Sequence, residues 1–301
     1  MRIAAIDLGS NTFHIIIAES KSNGFEVIYK TNKPIKLSEN ITKKNRIIPA
    51  AFERGITCLR EFKSLLDEYK VDKMKAVATS AVRSADNGEH FIQVAKNLTG
   101  IEIEIISGKE EASLIYNAVK YSGAIQGKSL IMDIGGGSTE FIFCDENESY
   151  WKKSFDIGAA RLMQKFWTSD PISLEEQQKL NTHLDKTLGE LKAFNQDFGA
   201  KTLIGSAGAF ETFAEMLNPT SNLENIKSIK IDLKHYHALS QNLIQATHHE
   251  RAQMPNLISL RVDMIVIASI LTDYIIRELN VNEIRMTTYD LKFGILYSLI
   301  S

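Results

Sequence analysis

The sequence predicts an α/β protein built from two related domains. Three observations carry that expectation: the length of the chain, an internal echo of one strand–turn–strand pattern, and alternating strand-like and helix-like periods elsewhere. At 301 residues the chain exceeds the size at which a single hydrophobic core usually stops growing. Hydrophobic residues make up 44% and charged residues 24%, an ordinary globular balance with enough apolar material for two cores. With 5 prolines and no low-complexity stretch, no long disordered segment is expected.

The echo comes first. Ala5–Ile17 reads AIDLGSNTFHIII and Met132–Phe143 reads MDIGGGSTEFIF. In register, Asp7 meets Asp133, Gly9 meets Gly135, Thr12 meets Ser138, and Phe13–Ile17 meet Thr139–Phe143. Ile3–Ile6, Phe13–Ile17 and Leu130–Met132 are nearly all apolar, as strands covered on both faces are. One such match is weak, but two argue for related domains. Between them, Ala51–Tyr69 carries a helical apolar pattern, Lys75–Ala78 reads as a short strand, Asn87–Leu98 as a helix and Ile101–Ile106 as a strand, with Ser107 opening a further helix. Two glycines in Tyr121–Lys128 mark the expected boundary, giving domains over 1–124 and 125–301. Beyond it, Ser173–Phe194 reads as one long helix opened by a Ser173/Glu176 capping box. Thr202–Ile204 reads as a strand, Phe210–Leu217, Leu233–Thr247 and Leu260–Leu279 as helices, and Glu283–Thr287 as a late strand.

Charge and cysteines narrow the function classes. The formal net charge is −2, so a bound anion must be held locally by backbone NH groups and a few arginines. No basic stripe or zinc-finger spacing supports DNA binding. Cys58 and Cys144 stand outside any CxxC pattern and are expected as isolated buried thiols in a reducing compartment. Asp7 falls too early for a secretory apolar region, and the apolar run Met264–Leu271 is too short for a bilayer. A cytoplasmic protein is expected.

Four segments suggest chemistry. In Asp7–Thr12, Gly9 permits a tight turn, and consecutive NH groups with the Ser10 and Thr12 hydroxyls suit an anion nest; an ordinary hairpin turn fits the same residues. Asp133–Glu140 is sharper, because three successive glycines exceed what a hairpin needs. Its two carboxylates flank the loop from opposite strands, an arrangement suited to Mg²⁺ shared with phosphate oxygens. The alternative is a turn cap at Asp133 and a solvated Glu140. In Ser107–Ile115, Ser107 and Glu110 have capping-box spacing. Glu111 instead falls on the stripe of Leu114, Ile115, Ala118 and Val119. A carboxylate on a buried face needs a task; general base for a hydrolytic water is one, and favourable placement at a helix N-terminus is another. Gly205-Ser206-Ala207-Gly208 lies between a strand and a helix, as N-terminal anion sites do. Arg83 is read as a loop arginine that could clamp phosphate. The pairs His235/His237 and His248/His249 are read as solvated helix positions, without zinc spacing.

These segments together resemble the exopolyphosphatase/guanosine pentaphosphate phosphohydrolase (Ppx/GppA) family of the actin–hexokinase–chaperone ATPase superfamily. The likeness runs from Ala4 almost to the C-terminus through AIDLGSNTFHIII, TSAVRSADN, ISGKEEASLIY, DIGGGSTEF and SFDIGAARL. It implies two ribonuclease-H-like (actin-like ATPase) domains with an active cleft between them. It implies Glu111 as catalytic base, Asp133 and Glu140 at a Mg²⁺ ion or another divalent cation, and a homodimer. Phosphate contacts are implied from Ser10, Asn11, Thr12, Arg83, Gly135, Gly136, Gly137, Ser138, Gly208 and Arg261. The implied reaction is release of terminal phosphate from inorganic polyphosphate, or conversion of pppGpp to ppGpp. Two motifs depart from the family pattern. The arginine after Glu-Glu-Ala is Ser113 here, and the closing Gly-Leu-Arg-Glu-Gly reads Asp290-Leu291-Lys292-Phe293-Gly294. The helical C-terminal domains of longer members are absent from this sequence, which favours short polyphosphates or pppGpp. A phosphotransferase of the same superfamily, or a non-catalytic polyphosphate/pppGpp sensor, remain as rivals.

Overall fold

The computed structural model describes all residues except 23, 42–44, 207, 220–222, 224–225 and 301. The chain forms two compact units that do not follow chain order. The first comprises Met1–Ala118, Gly135–Gly137 and Leu291–Ser301; the second comprises Val119–Ile134 and Ser138–Asp290. Gly135–Gly137 and the last helix, both within the expected second domain 125–301, group with the first unit.

The first unit contains β1 (Arg2–Leu8), β2 (Thr12–Lys21), β3 (Gly24–Pro34), β4 (Lys73–Ala78) and β5 (Ile103–Ile105). They form a sheet in the order β3-β2-β1-β4-β5, with β2 antiparallel to both neighbours and β4 parallel to both of its own. Its helices are α1 (Pro49–Glu68), α2 (Ser80–Ser84), α3 (Gly88–Thr99) and α4 (Gly108–Ser122), the last of which continues past Ala118. The apolar run of β1 is buried on both faces, with Ile3, Ala4, Ala5 and Ile6 all at 0% exposure. Proline at the start of α1 fits the first helical turn, and its stripe of Ile56, Leu59, Phe62 and Leu66 enters the core with Phe13 and Phe91.

The second unit contains β6 (Ser129–Ile134), β7 (Thr139–Cys144), β8 (Ser149–Phe155), β9 (Thr202–Ser206), β10 (Ser228–Ile231) and β11 (Glu283–Thr287). Their order is β10-β11-β9-β6-β7-β8. Strand β7 is antiparallel to its neighbours, β9 is parallel to its own, and β10 adds an antiparallel edge. Its helices are α5 (Ala159–Phe166), α6 (Leu174–Thr187), α7 (Gly189–Phe198), α8 (Gly208–Leu217), α9 (Leu233–Gln245), α10 (His248–Ala252) and α11 (Met264–Glu278). The closing helix, α12 (Leu291–Ile300), packs on β1, β2 and β4 of the first unit.

Both sheets place three antiparallel strands beside two parallel ones, the ribonuclease-H-like arrangement twice over. The echo is also a match in register. The pair Leu8–Phe13 closes the first turn and Ile134–Thr139 closes the second, so Asp7 faces His14 where Asp133 faces Glu140.

Several elements differ from expectation. The long helix Ser173–Phe194 is two helices, broken at Leu188 (φ −100°, ψ 17°). Glycine at 189 weakens helical propensity there, and the bend lets Leu180 and Leu184 on one side, and Leu191 and Phe198 on the other, reach the same core. The Ser173/Glu176 capping box is present. The helix expected over Leu260–Leu279 is a 3-10 turn at Ser259–Arg261 followed by α11. Arg83 lies on the short helix α2 rather than in a loop. Strands β3, β8 and β10 and helices α5 and α12 had no counterpart in the sequence reading. Cys58 and Cys144 are free and buried, and burial pushes each thiol up to about 12.

Candidate functional site

The turn between β1 and β2 is clasped from outside. The Asn11 carbonyl accepts from Ile35 N (2.9 Å) and Lys36 N (2.8 Å), and the Ser10 carbonyl accepts from Ser38 N (2.9 Å). Glycine is required at position 9, where a Cβ would stand 2.7 Å from the Thr12 carbonyl oxygen. Gly136 and Gly137 lie against this turn. A Cβ on Gly136 would be 3.2 Å from Ser10 Cβ, and one on Gly137 would be 2.6 Å from both Ser10 Oγ and Ser80 Oγ. At 137 a side chain would have to displace both hydroxyls, and glycine avoids this. Ser80 was not singled out from the sequence, although it sits in the quoted segment three residues before Arg83. Its hydroxyl is buried and has no hydrogen-bond partner among the described residues.

Helix α4 divides its two leading carboxylates as the periodicity predicts. Glu110 Oε2 accepts from Ser107 N at 2.7 Å, and Glu110 N donates to Ser107 Oγ at 3.2 Å, completing the box. The Ser107 hydroxyl and then its NH hold the Glu110 carboxyl below its usual value. Glu111 points the other way and is 6% exposed. Arg83 Nη1 lies 3.1 Å from Glu111 Oε2 and donates to the Ile106 carbonyl at 2.9 Å.

In the second unit a polar row crosses four strands. Ser206, Asp133, Glu140 and Ser154 are successive register partners on β9, β6, β7 and β8. Lateral register partners share a face of the sheet, and opposite pairs stand roughly 5 Å apart at Cβ. The Ser206 hydroxyl lies between two acceptors, Asp133 Oδ2 at 3.1 Å and the Tyr289 carbonyl at 3.2 Å, and the Ser154 hydroxyl donates to Glu140 Oε1 at 2.6 Å. Each carboxylate is thus oriented by its outer neighbour. Ser154 belongs to a segment noticed only for its family likeness; its role became visible through strand pairing.

Gly208 opens α8 with φ +51°, in the left-handed region that favours glycine; Ala207 before it lies outside the described residues. Arg261 reaches the first turns of the same helix, where Nη1 donates to Thr212 Oγ1 and Nη2 lies 3.5 Å from Glu211 Oε2. Of the singled-out histidines, His235 lies near Asp232, His237 near Asp273 and His248 near Asp263.

The sequence profile of the Ppx/GppA phosphatase family matches residues 16–301. The chain is 29% identical over 297 residues to a putative exopolyphosphatase of Haemophilus influenzae, covering 99% of this chain and 91% of that protein. It is 27% identical over 300 residues to a guanosine-5′-triphosphate,3′-diphosphate pyrophosphatase of Aeromonas salmonicida, spanning 99% of this chain and 59% of that protein's length. The crystal structure of an exopolyphosphatase from Cytophaga hutchinsonii is similar throughout, with 34% identity, a TM-score of 0.96, and coverage of 100% of this chain and 98% of that one.

Proposed function

The chain belongs to the Ppx/GppA phosphatase family, and from that premise we propose that it is a phosphoanhydride hydrolase releasing the terminal phosphate of inorganic polyphosphate or of pppGpp. The observation that carries the reading is the Asp133–Glu140 pair, opposed on one sheet face and braced by Ser206 and Ser154. Two oriented carboxylates are a donor set that fits Mg²⁺, which takes few protein ligands and completes its shell with water and phosphate oxygens. When bound, the cation would neutralise charge on the phosphate chain. The three glycines beside Asp133, with Ser138 and the Ser10–Thr12 turn, would offer NH and hydroxyl donors to phosphate oxygens. Gly208 at the N-terminus of α8 and Arg261 beside it would do the same. Glu111 would take the proton of the attacking water. Both Arg83 contacts run through Nη1, so its guanidinium would hold Glu111 while presenting its other edge to phosphate. In this reading the divalent cation rests on the paired carboxylates, the cytoplasmic setting on the isolated thiols and the sequence expectation, and the homodimer on the family resemblance.

The test is phosphate release from tripolyphosphate, long-chain polyphosphate and pppGpp, with Mg²⁺ present and after chelation. Release that needs the cation is expected from at least one of them. No release from any, under saturating Mg²⁺, would sink the hydrolase reading, and tight binding without turnover would favour the sensor.

A further inference from the structure

Arg251, on the short helix α10, is fully buried, and the hydrolytic reading assigns it nothing. A buried guanidinium is costly unless its charge and donors are met. Its Nε donates to the Val262 carbonyl at 2.8 Å, and Nη1 donates to the Ala246 carbonyl. Nη2 lies 3.5 Å from Asp263 Oδ1 and 3.6 Å from Asp170 Oδ1. The guanidinium sits over the Trp167 ring, 5.2 Å from its centroid. Around it, Asp170 accepts from His248 N at 2.8 and 2.9 Å, and His248 Nδ1 lies 2.6 Å from Asp263 Oδ1.

What Arg251 grips is the chain just after Arg261. Val262 and Asp263 have helical dihedrals (φ −48°, ψ −40° and φ −91°, ψ −45°), and the apolar pattern runs on through them. In a continuous helix the Val262 carbonyl would accept from Val266 N. Here Arg251 Nε takes that carbonyl, and Val266 N donates one residue later, to Asp263 O at 3.2 Å. The α-helical ladder therefore begins at Met264, and Arg261 stays in the tighter 3-10 turn, its own NH donating to the Ile258 carbonyl at 2.9 Å. From there its side chain reaches Thr212 and Glu211 on α8.

We propose that Arg251 is a positioning residue for Arg261: by capturing the Val262 carbonyl and pairing with Asp263, it keeps the turn out of the helix and aims Arg261 at the first turns of α8. The inference rests on the phosphate role of Arg261 in the reading above. Lysine at 251 keeps the charge but cannot reproduce the planar fork that engages Val262, Ala246 and the carboxylates together.

The test compares Arg251→Lys, Arg261→Ala and the double variant in the full chain. Three quantities are read: tripolyphosphate affinity by calorimetry, kcat for phosphate release, and melting temperature. Each single variant should weaken tripolyphosphate binding by about tenfold or more, kcat in Arg251→Lys should fall no further than in Arg261→Ala, and the double should bind no more weakly than Arg261→Ala alone. Should Arg251→Lys fail to fold, Asp263→Ala decides. Asp263 is half-exposed and makes no side-chain cap to α11, and its loss should weaken binding in the same direction, again without adding to Arg261→Ala. Wild-type affinity in the folded Arg251→Lys or Asp263→Ala protein, or losses that multiply in the double, would overturn the inference alone. Wild-type affinity in Arg261→Ala would remove the phosphate role of Arg261, and this inference with it.

Discussion

Arg83 Nη1 lies 3.1 Å from Glu111 Oε2, joining the arginine expected at the phosphate to the carboxylate expected to activate water. The sequence separates them by a strand and a helix; the fold closes the gap, and the Ile106 carbonyl fixes the same nitrogen. A carboxylate held this way has lost much of its rotamer freedom before any substrate arrives. Glu111→Gln should lower kcat about a thousandfold with little change in KM. Arg83→Met should lower kcat by roughly ten- to a hundredfold, because Glu111 loses its orientation, and should raise KM as well. Steady-state phosphate release checks both, and an unchanged kcat in Glu111→Gln would remove Glu111 as the base.

The serines bracing Asp133 and Glu140 make a separate prediction. Ser206→Ala and Ser154→Ala leave both carboxylates in place but remove the hydroxyl that orients each one. The Mg²⁺ concentration giving half-maximal rate should rise by roughly ten- to a hundredfold in each, while the rate at saturating Mg²⁺ stays near wild type. A titration of rate against Mg²⁺ decides it, since an unchanged midpoint would dissociate the serines from any metal role.

Gly137→Ala should be costly both to stability and to phosphate binding. The added Cβ would stand 2.6 Å from Ser10 Oγ and Ser80 Oγ and 3.0 Å from Ser80 Cβ, and overpacking of that kind costs about 1–3 kcal/mol. Gly189→Ala is the control. Nothing lies within 4 Å of a Cβ there, and alanine favours the helix, so its melting temperature should hold or rise slightly.

Gly294 makes the helix that carries Glu111 sensitive to a remote change. A Cβ at Gly294 would stand 2.1 Å from the Leu114 carbonyl oxygen and 2.6 Å from its carbon. Both are backbone atoms, so the clash is relieved only by moving α12 away from α4, and Leu114 is one turn beyond Glu111. Gly294→Ala should destabilise by about 3 kcal/mol and lower kcat in whatever fraction remains folded. Wild-type melting and rate would show that the two helices separate without effect.

Glu176 sets an acid limit. Burial by itself would raise its carboxyl, but donors from Ser169, Ser173 and Thr168 outweigh burial and hold it well below its ordinary value of 4.5. Because the folded value is depressed, the stabilisation is complete above the unfolded value and is lost as pH falls below about 4.5 toward the folded one. Melting temperature should therefore fall more steeply with acidification in the wild type than in Glu176→Gln, with the curves converging at low pH. Parallel curves as pH is lowered from about 6 through about 3 (roughly the range over which the loss sets in) would refute the assignment.

Much of this was legible in the residues themselves. The echo between Asp7–Ile17 and Asp133–Phe143 foretold two sheets with matching turns, because an alternation of apolar strand and polar glycine turn records strand period and turn chemistry directly. Helical periodicity likewise separated Glu110 from Glu111, since a residue's face on a helix depends only on its spacing from its neighbours. What adjoins that face depends on segments distant in the chain, and there local pattern is silent. Ser154 stands beside Glu140 because β8 pairs with β7 in one register, a choice made by the whole sheet. Helix α12 joins the first unit because its apolar residues pack on β1, β2 and β4. The apolar pattern through Leu260–Leu279 promised one unbroken helix, yet the buried Arg251 claimed the Val262 carbonyl and delayed its start to Met264. The sequence by itself determined the period, the turns and the faces. Tertiary structure alone decided which polar groups met, because a buried donor takes whichever acceptor the packing brings within reach, however distant in the chain.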